Sequence, residues 1–183
     1  EGLGAGALPA VMSFALFGVF IGGTAASALA AALGRGALPR LDSLTLTHAA
    51  IGDAGLVALA PAFRRLPALV DLNLRGNPVG DEGLAALVAP AAAAGALPTT
   101  TGVLKKLQRL YLDNPTTGAF RGSCNQVTDA GCATIASALD SGALPALDVL
   151  NLDGAPASVA AKEAVQAALA RSIECRPSPL TLS

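Results

Sequence analysis

Apolar residues occupy the first, fourth and sixth positions of five segments: Val11, Phe14, Leu16; Leu41, Leu44, Leu46; Leu69, Leu72, Leu74; Leu107, Leu110, Leu112; and Leu147, Leu150, Leu152. The fourth and sixth alternate with mostly polar neighbours, which is the period of a short strand burying one face. Further along each segment the spacing changes to three and four, as in Leu56, Leu59 and Phe63 or Cys132, Ile135 and Leu139. That is the period of a helix. Each segment therefore predicts a strand followed by a helix. A Leu-Pro dipeptide recurs at Leu8, Leu38, Leu66, Leu97 and Leu144. Proline ends the helix and drives the preceding leucine toward extended geometry, leading into the next strand. Asp53, Asp81 and Asp129 stand where helices begin and read as helix N-caps, accepting bonds from orphaned amides and opposing the helix dipole.

The segments begin at residues 11, 41, 69, 107 and 147 and are therefore 30, 28, 38 and 40 residues apart, the two long intervals holding insertions. Self-similarity at such a period is the mark of a solenoid. The pattern is complete in LVDLNLRGNPVGDEGLAAL, from Leu69, which resembles the ribonuclease-inhibitor type of leucine-rich repeat. The resemblance runs over about residues 6 to 170 and implies an α/β fold: a horseshoe arc of about five repeats with a parallel β-sheet on its concave face and helices on its convex face. On this reading 1–183 is a single leucine-rich-repeat domain, 1–10 is the tail of a preceding unit and 171–183 is a C-terminal cap. The family's ladder asparagine is present at Asn77 and Asn125 but replaced by Val19, Ala49 and Ala155, so backbone groups in those turns need other partners or water.

The first unit is unusual. No charge occurs from residue 2 to residue 34, and Val11–Leu33 has the length and apolarity of a membrane span. The repeat pattern accounts for it better, since Val11, Phe14, Leu16, Ile21, Leu29 and Leu33 fill every key position in register. Phe17 and Phe20, however, stand where other units carry mostly small or polar residues. They point either to a surface covered by a partner or to an upstream repeat that closes the open end.

Composition narrows the chemistry. A net charge of -1, from 12 basic and 13 acidic residues, offers no footprint for nucleic acid and leaves a membrane only an indirect role. The single histidine, His48, and three cysteines without metal-binding or paired spacing suggest no metal, no cofactor and a reducing, intracellular setting. His48 lies just past a strand and reads as a solvated rim residue, Cys132 as a buried small hydrophobe. No phosphate-binding glycine loop is present, and the recurrent Gly55, Gly83 and Gly131 mark turns. We read the chain as non-catalytic.

Strand side chains that avoid the core face the concavity, with equivalent positions about 4.8 Å apart on adjacent strands. The third, fifth and seventh positions then form rows, and units three to five gather Tyr111 amid Asp71, Asn73, Arg75, Arg109, Asp113, Asn151 and Asp153. Tyrosine and arginine are frequent interface anchors. The same charges can instead pair among themselves, Arg75 with Asp113 for instance. Unit four is bracketed by the inserted TTTGVLK and NPTTGAFRGSC, the latter carrying Phe120 and Arg121. The expected function is a protein-protein interaction module binding a partner protein through the concave face. One alternative is a structural accessory subunit of a larger, membrane-associated complex, docked through the apolar first repeat. Another is a GTPase regulator, although none of Arg75, Arg109 or Arg121 stands out as a finger.

Overall fold

Among the described residues five strands and five helices alternate: β1 (Ser13–Phe17), α1 (Gly23–Gly34), β2 (Ser43–Thr47), α2 (Asp53–Phe63), β3 (Asp71–Asn73), α3 (Asp81–Val88), β4 (Arg109–Tyr111), α4 (Asp129–Asp140), β5 (Val149–Asn151) and α5 (Val159–Glu174). The computed structural model describes residues 8–21, 23–89, 104–115 and 124–176. All strands are parallel and lie in sequence order, β1-β2-β3-β4-β5. Consecutive helices pack side by side behind the sheet. This is the α/β leucine-rich-repeat solenoid.

The core is the set of leucine columns read from the sequence. Leu44, Leu72, Leu110 and Leu150 pair across adjacent strands in one row with Phe14. From unit two onward these residues are buried against Leu56, Leu59, Phe63, Leu84, Leu87, Ile135 and Leu139 of the helices. Unit one is different, for Phe14 and Leu16 are only partly buried, β1 being the edge strand among the described residues. Cys132 is buried as expected, and burial raises its thiol pKa.

The sheet ladder continues past the strands. The amides of Gly18, His48, Gly76 and Asn114 donate to the carbonyls of Thr47, Arg75, Asp113 and Asp153 in the next unit. At this turn Gly18, His48, Gly76 and Gly154 all have positive φ, between 52° and 70°. Glycine suits such a backbone and histidine does not. His48 is half-buried rather than a solvated rim residue: its ring makes an edge contact with Phe17 at 5.5 Å and lies over Gly76, where an added Cβ would meet Cε1 at 2.2 Å.

Two polar devices join the units. Asn77 is fully buried; its amide donates to Leu46 O and Leu74 O, and its Oδ1 accepts from the amides of Ala49 and Ile51 in the preceding unit. Unit two therefore needs no ladder asparagine at Ala49. Where Ala155 replaces it in unit five, Asn114 substitutes by donating to Gly154 O and to Asn125 O. The aspartates form the second device and correct the expectation. Each is the first helical residue, and the N-caps are Gly52, Gly80 and Thr128. Asp53 Oδ1 instead accepts from the amides of Gly80 (2.6 Å) and Gly83 (3.0 Å) in the following unit. Asp81 accepts from Thr128 N and Oγ1, and Asp129 from Ser158 N and Oγ. These carboxylates serve the start of the next helix, across the repeat boundary.

The two ends differ. At the C-terminal end α5 continues through Glu174, beyond the expected start of the cap, and carries the capping groups itself. Gln166 Nε2 donates to Leu150 O on the outer strand, Lys162 Nζ to Ala155 O, and Arg176 to Leu147 O. Residues 177–183 lie outside the described residues. At the other end Phe17 and Phe20 are 63% and 82% exposed. No helix among the described residues is long and apolar enough to cross a membrane, and α1 spans 12 residues.

Candidate functional site

The parallel register brings the expected concave residues together. Arg109 lies between Asp71 and Val149, and Tyr111 between Asn73 and Asn151. Two ion pairs bridge units three and four: Arg109 Nε to Asp71 Oδ2 at 2.8 Å, and Arg75 Nε to Asp113 Oδ2 at 3.1 Å. The first raises the pKa of Arg109 through its hydrogen bond to Asp71 and the attendant charge attraction. Because the pairs sit at the two ends of the strand segment, they bracket the row of Asn73 and Tyr111 between them.

The strand exits are held locally. Asn73 Oδ1 accepts the Arg75 amide at 3.0 Å, and Asn151 Oδ1 accepts the Asp153 amide at 2.8 Å. Each asparagine thus fixes the turn that aims the next charged side chain, the usual role of a short amide near a bend. Thr47 adds a longer bond to Asn73 Oδ1, at 3.4 Å.

Exposure separates residues that the sequence had grouped. Arg75 and Asp153 are exposed, while Asp71, Asn73, Arg109, Tyr111 and Asn151 are half-buried. Asp113 is only 6% exposed, and Thr47 of the same row is also buried. The seventh strand position is therefore not uniformly solvent-facing. Asp113 is occupied in holding Arg75, and its charge is offered outward only through that guanidinium. Phe17 and Phe20 do not join this patch: they lie on unit one, where Met12 and Val19 add further exposed apolar area.

Sequence reasoning missed Asn114 and Cys124. With Pro115, Asn125, Gln126, Gly154 and Pro156 they line an open cavity of about 410 Å³ where the second insertion leaves and rejoins the fold. Asn114 follows the strand at a position where other units have glycine or histidine, and that departure was the available signal. Phe120 and Arg121 lie outside the described residues. Among the described residues no group of side chains is arranged to hold a metal ion.

The Leucine Rich repeat family matches residues 40–60 and 66–88, the second and third units. A search of curated proteins returns no match. Solved structures share the fold. Leiomodin-1 Actin-Binding Site 2 superposes with a TM-score of 0.66 at 16% identity, over 91% of this chain and 83% of that one. The tropomodulin C-terminal domain of Caenorhabditis elegans superposes with a TM-score of 0.62 at 18% identity, over 91% and 87%. With two units matched in sequence and five stacked in register, the chain has the leucine-rich-repeat fold.

Proposed function

We propose that the chain is a non-catalytic recognition module that binds a partner protein on the concave strands of units three to five. The observation that carries this reading is the fixed row of Asn73, Tyr111 and Asn151, bracketed by the Arg109–Asp71 and Arg75–Asp113 ion pairs. Internal pairing immobilises the arginines without neutralising the patch's shape, so a partner meets a half-exposed aromatic ring between oriented charges. Such preorganisation lowers the ordering cost of binding. A domain of the same fold in leiomodin-1 is named as an actin-binding site, which supports a protein partner. A photo-crosslinking residue at position 111 tests the reading in native extract. It should capture a partner that a crosslinker at Ser137, on the exposed face of α4, does not. Capture at position 137 alone would reverse the assignment of the two faces.

A second reading rests on unit one. Phe17, Phe20, Met12 and Val19 form an exposed, uncharged surface beside an outer strand, which suits docking into a larger assembly. In that assembly both phenylalanines should become protected from solvent. An assembly in which both rings stay solvated would remove this reading.

A further inference from the structure

The small net charge conceals an uneven placement of charge: three strand entrances are basic, while the turn into β5 carries Asp140 and Asp148, which pair with Arg171 and Arg176. The turns that lead into β2, β3 and β4, residues 34–42, 63–70 and 104–108, hold Arg35, Arg40, Arg64, Arg65, Lys105 and Lys106 against the single carboxylate of Asp42. The opposite rim, where strands lead into helices, carries Asp53, Asp81, Glu82 and Asp129. The helix dipole accounts for acids at helix starts and for Arg64 and Arg65 at the end of α2. It does not account for Arg40, Lys105 and Lys106, which stand next to the strands that follow.

Arg64 and Arg65 donate to the backbone carbonyls of Ala86 and Gly34, which leaves their charge unopposed by a carboxylate. The ion pairs among the described residues are Arg75–Asp113, Arg109–Asp71, Arg171–Asp140 and Arg176–Asp148, none of which uses Arg40, Arg64, Arg65, Lys105 or Lys106. Residues 90–103, which precede Lys105 in the chain, contain no charged side chain and supply no carboxylate.

Arg64, Lys105 and Lys106 surround a groove of about 230 Å³, floored by Leu66, Pro67, Leu69 and Leu104. Arg64 is half-buried there, with Nη2 donating to Ala86 O while Nε has no acceptor. Burial also lowers its pKa. Nε itself is shut off from solvent, but the guanidinium lines the groove, and a carboxylate is the acceptor that matches it best.

We propose that this rim is a second docking surface, whose ligand is an acidic peptide that seats an apolar side chain in the groove and sets its carboxylates on Arg64, Lys105 and Lys106. An apolar floor and a single half-buried guanidinium distinguish the site from a bare polyanion track. A single-stranded nucleic acid would call for exposed aromatic platforms, and Phe63, the aromatic ring at the groove, is buried. The surface lies at the strand entrances, away from Tyr111, so it stands or falls independently of the concave site.

The test is fluorescence anisotropy with a short labelled peptide of alternating Asp and Glu around a central Leu. Three controls are its Asn/Gln counterpart, a version with Ala for Leu, and competition by phosphatidylserine vesicles or single-stranded DNA. The acidic Leu peptide should bind, weaken with salt, and lose about tenfold or more of its affinity to the K105E/K106E double variant, which should keep the wild-type circular dichroism. The Asn/Gln peptide should not bind, and the Ala version should bind more weakly. Equal binding of the neutral peptide, or wild-type affinity in the double variant, overturns the proposal. Equal binding of the Ala version removes the groove from it. Stronger binding of vesicles or DNA than of the peptide assigns the rim to a different class of ligand and also overturns it.

Discussion

At the scale of single residues, the turn after β2 concentrates the conformational demands of the fold. Gly76 has φ of 64° and supports the His48 ring, so a methyl group there meets both an unfavourable backbone and a side chain at 2.2 Å. Gly76→Ala should lower stability by about 1–3 kcal/mol in urea unfolding. The same change in a His48→Gly background should cost clearly less, because the ring is gone; an equal cost would show that backbone strain acts alone. The positive φ at His48 was not legible in the sequence, since a histidine in a glycine column looks like an ordinary substitution until the column's geometry is known. The alternating burial of Leu72 and Leu74 was legible because alternation is local. The pairing of Arg75 with Asp113 was legible from the rows, but the burial of Asp113 was not, for it depends on packing between units.

Between elements, polar side chains work across the repeat boundary. Asp81 holds both the amide and the hydroxyl of Thr128, which is the residue that caps α4. Asp81→Ala should therefore cost about 1 kcal/mol, and a double-mutant cycle with Thr128→Ala should show coupling between the two. Strict additivity would place the effect within α3 instead. Asp129 shows the electrostatic side of the same contact, since its bonds from the Ser158 amide and hydroxyl hold its pKa below the ordinary carboxylate value. A carboxylate with a depressed folded-state pKa contributes stability that is present above its unfolded value and is lost as pH falls through the folded one. Asp129→Asn should thus be most destabilising near neutral pH and converge with the wild type in acid, a difference read from melting temperatures across a pH series. The position of these aspartates was evident from the repeat. Their targets were not, because between 27 and 47 residues separate each carboxylate from the amide it serves and a linear pattern carries no distance.

For the whole molecule, the leucine columns form one continuous core, so damage in one unit spreads to its neighbours. Leu72→Asp places an unpaired charge at a fully buried site in the central strand and should abolish the cooperative unfolding transition and much of the helical circular dichroism. Wild-type melting in that variant would contradict the stacked arrangement. Binding belongs to this scale too, because the concave row exists only when adjacent units are in register. Once a partner is in hand, Tyr111→Ala should cost about 2 kcal/mol or more of affinity, and Arg75→Ala or Arg109→Ala less, since each arginine already has a carboxylate within its own fold. Repeat number, strand direction and the two faces were legible because periodicity repeats the same evidence five times. The basic cluster at three strand entrances escaped because summing charges over a chain erases their placement. The forward reach of the aspartates has an evolutionary consequence. A duplicated unit spliced into the middle of the array would arrive with its own carboxylate for the next helix and an amide ready for the one before. Such a chain can lengthen by copying, with no compensating change on either side of the new joint.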